Sequence, residues 1–429
     1  MSPLCNARSS RVWVTLGLGL AGFLTVGLSR VARAGGFETL ETSPAGTATV
    51  GARTAIADDA DAVFYNPAGL AMQRGLGVIG GANVLHIDGS VTPTGGASVS
   101  STGTVATPTG YLSARIGPHF GVGVGVFSNF AEHLEYPAGF SGRALGTFLD
   151  LTTTTVNPSV ALRPIPQVSV GFGLDVMAAS LDWRHASLSA GGEGLTHSST
   201  TAVGLGANVG LLVRLVPRWL TFGFSYRSAI TLDFAGSGGL DGPGLPAQRL
   251  DAKVTMPLPH NFSFALATRP TDWLTVDAEA HLSLWSDLHT LTFRFVDPSA
   301  PSGTQPTVDA IDANLRDSVG VRAGAEARLL SGRLPLRLGL GFDTSPVRRG
   351  WLQPLFPDSN RVLVGLGAGY HFGAFGVELG YAVEVLLDRP TTYPFFAAHY
   401  SAVRQVISLA LTARFDDLGV RVDLPEYKH

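Results

Sequence analysis

From about residue 75 onward, apolar residues alternate with small or polar ones at a period of two. Val168, Val170, Phe172, Leu174 and Val176 share one face of such a stretch, opposite Ser169, Gly171, Gly173 and Asp175. Leu274, Val276, Ala278, Ala280, Leu282 and Leu284 alternate with Thr275, Asp277, Glu279, His281 and Ser283. Leu336, Leu338, Leu340 and Phe342 do the same with Arg337, Gly339, Gly341 and Asp343. Successive side chains of a strand project to opposite faces, so each stretch predicts a strand with one apolar face. Fourteen strands are expected, near 75–90, 106–116, 119–131, 151–163, 167–189, 198–215, 219–234, 250–268, 272–295, 313–329, 334–344, 360–372, 375–388 and 402–415.

The links between them are of two kinds. Six are tight and carry turn residues: Gly117-Pro118, Pro164-Ile165-Pro166, Pro217-Arg218, Pro270-Thr271, Ser331-Gly332-Arg333 and Gly373-Ala374. They alternate with longer links rich in Gly, Pro, Ser and Thr, such as 132–150, 235–249, 296–312 and 345–359. A soluble sandwich gives the same side-chain alternation, but its long and short connections are mixed irregularly. Short turns on one rim, long loops on the other and an even strand count describe an outer-membrane barrel. Phe120, Trp219, Trp273, Phe372 and Phe375 flank the tight turns, where an interfacial aromatic girdle belongs. The expected fold is all-β, a 14-stranded antiparallel transmembrane β-barrel over residues 74–415.

Composition fits an exported chain. Residues 1–34 carry Arg8 and Arg11, an apolar stretch from Val12 to Leu28, and then Ala32-Arg33-Ala34, the order of a signal peptide. That stretch is short of the ~20 residues a membrane helix needs. Its removal deletes four arginines and no acids, moving the net charge from -3 to -7. Cys5 leaves with it, and the mature chain has no thiol for a disulfide or a thiolate metal site. No later apolar run suffices for a membrane helix, yet a closed barrel satisfies every backbone N–H and C=O in lipid. With 53 Gly in 429 residues, 45% apolar and 15% charged, intrinsic disorder is excluded. Only two lysines, Lys253 and Lys428, and a negative net charge leave no polybasic surface for nucleic acid. Residues 416–429 follow the last strand and are expected to be a C-terminal periplasmic tail.

Residues 35–73 break the alternation. Gly35-Gly36-Phe37 is followed by Ser43, Gly46 and Gly51, then by Ala57-Asp58-Asp59-Ala60 and Phe64-Tyr65-Asn66-Pro67-Ala68-Gly69-Leu70. Further along stand Tyr226-Arg227-Ser228, Asp343-Thr344-Ser345-Pro346, Pro357-Asp358-Ser359-Asn360-Arg361 and Gly369-Tyr370. This ordered set resembles the FadL/TodX family of outer-membrane transporters for long-chain fatty acids and aromatic hydrocarbons, over essentially the whole mature chain. The resemblance implies that residues 35–73 form an N-terminal plug, or hatch, inside the lumen, with Asp58, Asp59, Asn66, Pro67 and Ala68 as its motif. Physical chemistry accommodates this. Asn and Pro favour tight non-helical turns, irregular backbone inside a barrel faces protein or water, and so wide a barrel is not filled by its own side chains.

The resemblance also implies lateral release of substrate through an inward kink in the third strand. Phe127, Ser128, Asn129, Phe130 and Ala131 are the candidates for that opening, because Ser and Asn hydrogen-bond locally in place of ladder partners. Ala131 stands where fatty-acid members have Gly. Those members hold the substrate carboxylate with basic residues, and Arg184 with His185 falls near one such position as the candidate ligand head-group site. Residues 305–312 contain no Lys or Arg near the second, which leaves neutral hydrocarbons open beside fatty acids.

No catalytic residue, metal or cofactor is expected. There is no Gly-x-Ser-x-Gly elbow, no His-Glu-x-x-His and no phosphate loop, and the eleven histidines are scattered. The expected function is passive uptake of hydrophobic molecules across the outer membrane of a Gram-negative bacterium. A general porin, or a non-transport surface barrel or adhesin, is the alternative. Expected partners are hydrophobic small molecules, outer-membrane lipid and lipopolysaccharide, with no nucleic acid and the chain a monomer.

Overall fold

The computed structural model describes residues 36–416, except 190–191, 243–248 and 302–303. The expected signal peptide, and the expected tail beyond Asp416, lie outside the described residues. The chain makes fourteen antiparallel passes: β1 (Leu76–Pro93), β2 (Val99–Ile116), β3 (Phe120–Phe127 and Ala131–Glu135), β4 (Phe148–Ile165), β5 (Val168–Ser189), β6 (Gly192–Val216) and β7 (Leu220–Arg227 and Ile230–Asp241). Then follow β8 (Arg249–Leu258 and His260–Thr271), β9 (Leu274–Leu284 and Thr290–Val296), β10 (Thr307–Asp312 and Ser318–Leu329), β11 (Leu334–Asp343), β12 (Arg361–Phe372), β13 (Phe375–Pro390) and β14 (Ala398–Phe415). β1 pairs with β14 in unbroken register from Leu76↔Phe415 to Pro93↔Ala398, closing the sheet into a barrel without an edge.

Alternation sets the two faces. On β5, Ser169, Gly171, Gly173 and Asp175 are inside while Val170, Phe172, Leu174 and Val176 are exposed. Outward residues such as Leu205 and Leu411 are 72% and 67% exposed, as a lipid-facing band requires. Phe120, Trp219, Trp273, Phe372 and Phe375 stand exposed along the short-turn rim. No helix among the described residues is long and apolar enough to cross a membrane.

Two differences from the sequence reading have physical causes. The long-loop ends of the strands reach further than the apolar pattern does. β1 and β2 are joined by residues 94–98 alone, and β6 begins at Gly192. Beyond the lipid both faces meet water, so pairing continues through Ser and Thr without apolar alternation. Several passes are also interrupted: β3 at 128–130, β7 at 228–229, β8 at Pro259, β9 at 285–289 and β10 at 313–317. Pro259 lacks the N–H a ladder needs, and Trp285–Asp287 forms a short 3-10 turn.

Candidate functional site

Residues 36–73 lie inside the ring. Ser43 caps α1 (Pro44–Ala48), accepting from Gly46 N–H and donating to Asp61 Oδ2 at 2.8 Å. Asp61 ion-pairs with Arg53 at 3.0 Å, which ties the start of this segment to its middle. After α2 (Ala62–Tyr65), Asn66 caps the 3-10 turn Pro67–Ala71 by accepting from Ala68 N–H. Its Nδ2 donates to Thr54 O at 2.8 Å and to Leu211 O of β6 at 3.1 Å, while Ser169 of β5 donates to Ala68 O at 2.7 Å. The motif Asn66-Pro67-Ala68 is therefore a capped turn fastened to the wall. Inward glycines allow the contact: a Cβ on Gly171 would lie 2.3 Å from the Pro67 carbonyl carbon, and one on Gly121 2.3 Å from Leu70.

Charges clamp the opposite side of the segment. Asp58 meets Arg328 at 2.7 Å and Arg269 at 3.3 Å, and Asp59 meets Arg414 at 3.1 Å. Against the cost of burial, Arg328, Arg269 and Arg53 hold the Asp58 carboxyl well below the usual carboxylate range. A chain of buried pairs lines the wall: Arg322–Asp343 at 2.7 Å, Arg361–Glu384 at 2.9 Å, and Arg337 between Glu326 and Glu378 at 2.6 and 2.7 Å. Glu41 projects among them without a carboxylate-to-guanidinium hydrogen bond in reach. Burial, with Glu384 nearby, pushes its carboxyl up to about 7 against the pull of Arg322, Arg361 and Arg404.

The β3 interruption is a counted irregularity. Phe127 faces Thr155 of β4, and Ala131 faces Thr152, so three residues of β3 stand against two of β4. One residue is extra, and the alternation changes phase: Gly121, Gly125 and Phe127 are buried before the break, Glu132, Leu134 and Tyr136 after it. The freed backbone groups find other partners. Thr153 Oγ1 donates to Phe130 O at 2.7 Å, Thr39 N–H to Asn129 O at 3.0 Å, and Ala131 N–H to Phe37 O at 3.1 Å. The start of the inner segment thus acts as a strand partner from within. Ala131 does not take the left-handed conformation that a Gly would favour.

On its other side β3 pairs with β2 only from Gly110↔Val126 to Ile116↔Phe120. The outer part of β2, Val99–Thr109, has its ladder to β1 and none to β3 among the described residues. Pro108, which has no N–H to offer, sits just where that ladder stops. Phe127 lies beside the seam and packs on Phe64 of the inner segment at 4.8 Å. Arg227 stands over both rings and donates to Phe64 O at 3.2 Å.

The outer lumen is apolar. Phe37, Phe130, Trp285 and Phe356 pack together, with ring centroids 5.6–6.2 Å apart. A cavity of about 40 Å³ remains beside Phe37, Leu134, Tyr136 and Phe356, so the space is largely filled by side chains. The two candidate head-group residues are not brought together. His185 points inward, with Nε2 2.6 Å from Asp309 Oδ2 and its ring stacked on Trp183. Arg184 points outward and lies over the Phe148 ring at 4.3 Å, away from the lumen. The parity of Val168 to Val176, continued along β5, already assigns even numbers to the outer face.

A family model described as outer membrane protein transport protein (OMPP1/FadL/TodX) matches residues 25–385. A long-chain fatty acid transport protein of Escherichia coli O6:H1 is 25% identical over 393 residues, 80% of this chain and 85% of its own length. Outer membrane protein P1 of Haemophilus influenzae is 25% identical over 406 residues, 82% of this chain and 86% of its own. The fold is similar to that of a Pseudomonas aeruginosa FadL homologue, with a TM-score of 0.78 at 18% identity, covering 88% of this chain and 99% of that one. It is also similar to the Ralstonia pickettii toluene transporter TbuX, at a TM-score of 0.70 and 20% identity, covering 87% and 98%. The chain belongs to the OMPP1/FadL/TodX family of outer-membrane transport proteins, and its barrel resides in the outer membrane of a Gram-negative bacterium.

Proposed function

We propose that this protein is a channel for passive uptake of hydrophobic molecules, long-chain fatty acids or hydrocarbons. Residues 35–73 serve as its plug. Lipopolysaccharide keeps apolar solutes out of the outer leaflet, so a barrel must take them from outside. They enter the apolar outer lumen and leave sideways between β2 and β3, acting through a single barrel rather than an oligomer. The observation that carries this reading is the loss of ladder pairing on both sides of Ser128–Phe130. An unpaired backbone group in hydrocarbon costs several kcal/mol, so an interruption at membrane depth fits a protein- or ligand-lined opening. The lumen below is filled by the clamped plug, which favours the sideways route over a straight one. Relatives described as long-chain fatty acid and toluene transporters support the ligand class. Arg184 on the outer face, and the lack of a basic residue in 305–312, favour a neutral ligand over a carboxylate.

Proteoliposomes test the reading. Labelled oleate and toluene are expected to enter faster than in empty vesicles, while sugars cause no swelling. Swelling with sugars would make the protein a general porin. Transport of neither class would make it a surface barrel.

A further inference from the structure

At the short-turn rim, a basic residue ends each even-numbered strand: Arg115 on β2, Arg163 on β4, Arg214 on β6, Arg269 on β8, Arg328 on β10, His371 on β12 and Arg414 on β14. The seven positions are structurally equivalent. Each backbone N–H donates to the residue immediately before an odd-numbered strand: Gly75, His119, Gln167, Trp219, Trp273, Arg333 and Ala374 in turn, at 2.7–3.1 Å. All fall on the inward parity of their strands, as Arg214 continues the buried Asn208, Gly210 and Leu212.

Four of the seven are answered by acids. Arg269 and Arg328 meet Asp58, Arg414 meets Asp59, and His371 lies 3.0 Å from Glu378. The other arc is not. Among the described residues Arg115, Arg163 and Arg214, with Arg74 at the end of the plug, form no ion pair with a carboxylate. Arg115 donates to the carbonyls of Gln73 and Pro118, at 3.3 and 3.1 Å, and Arg163 to that of Pro166 at 2.8 Å. The Nε of each is buried without a partner. A cavity of about 480 Å³ opens beside the arc, lined by Arg74, Arg214, Arg269, Arg328 and Arg414, with Asp58 and Asp416 as its acids. Arg214 and Arg269 also line an adjoining cavity of about 360 Å³.

We infer that this arc is a binding site for a small oxyanion bearing phosphate or carboxylate groups, at the periplasmic mouth of the barrel. Four guanidiniums gathered without acids repel one another. Their planar forks present paired N–H donors that match phosphate and carboxylate oxygens. The same chemistry reaches the mouth as a free periplasmic anion or as the headgroup of an anionic lipid. The inference does not depend on the route of hydrophobic uptake, which is read separately in the same variants.

The test uses the full chain in dodecyl maltoside at low salt, titrated calorimetrically. One probe is inorganic pyrophosphate, and the other is mixed micelles of phosphatidylglycerol compared with phosphatidylcholine. Saturable pyrophosphate binding is expected, weakened about tenfold or more by Arg74→Gln and by Arg214→Gln, the arc residues that line the cavity, and weakened by 0.5 M salt. Arg348→Gln at the opposite rim is expected to bind like the wild type. A preference for phosphatidylglycerol without pyrophosphate binding supports the same arc with a lipid headgroup as ligand. Single substitutions leave the ladder intact, and heat-modifiable migration verifies assembly. No saturable binding of either probe by the wild type, or equal binding by the wild type and both arc variants, would overturn the inference.

Discussion

Around Trp285 the lumen is lined by aromatic and aliphatic side chains, with its few polar groups on the wall. Around Arg337, nearer the short-turn rim, it is lined by guanidiniums and carboxylates in buried wall pairs, while Asp58 and Asp59 of the segment 36–73 pair with Arg328, Arg269 and Arg414. One side-chain position in two faces inward in both regions, although the phase shifts at breaks such as that in β3; what changes is the residue that fills the inward position. An apolar molecule entering the first region separates no ion pair. In the second it would have to separate ion pairs in a low dielectric, a cost of several kcal/mol per charge. On the proposed reading, hydrophobic ligands travel downhill to the level of Phe127 and no further. The β2–β3 ladder ends at that level, at Gly110↔Val126.

Substitutions can break each side of the contrast. Arg337→Ala takes the shared guanidinium from Glu326 and Glu378, leaving them Arg328 and His371 alone, which is expected to cost about 3 kcal/mol. Loss of the heat-modifiable barrel at a lower temperature would register it, and an unchanged melting profile would contradict a stabilising role for these wall pairs. In the outer region, Trp285→Ala removes the ring against Phe37 and Phe130. The barrel should assemble, and initial rates for bulky hydrophobic substrates should rise severalfold, whereas a stabilising role alone would leave them flat.

A milder change acts on the plug's fastening. Asn66→Ala removes a turn cap and two carbonyl contacts, expected to loosen docking by about 1–2 kcal/mol. Increased leakage of small sugars checks it, with tight vesicles as the contrary result. A pH-dependent effect concerns Glu41. Its carboxyl titrates near 7 when docked, against an ordinary value of 4.5. The docked state thus keeps a proton that the undocked state has lost, so docking weakens as pH rises from about 4.5 through 7. Protease should cut the segment more readily at pH 8 than at pH 5, and Glu41→Gln should flatten that difference.

Much of this was legible in the residues. Alternation exposed the strands because lipid imposes an apolar outer face, and the tight turns marked one rim through Gly and Pro. Ser128-Asn129 marked the β3 break, since both residues compete with a ladder. The breaks at 228–229 and 313–317 hold Ser228 and Asn314, residues of the same kind, but the alternating pattern around them did not single them out. The strand extensions into water were hidden for a related reason: once both faces are wet, pairing no longer needs apolar residues. The basic ring was present in the sequence, with Arg a few residues before turn after turn. It becomes visible only when strands are aligned by their shared hydrogen bond, which reading each strand alone does not do.

The central claim is that the extra residue in β3 holds the route open, and it has a direct measurement. Deleting Asn129 leaves two residues against two between the paired positions and restores the phase of the alternation, so the ladder to β4 closes. In cells carrying the assembled, heat-modifiable variant, uptake of a labelled hydrophobic substrate is expected to fall to the level of cells lacking the barrel. Uptake equal to the wild type through a continuous third strand would contradict the account.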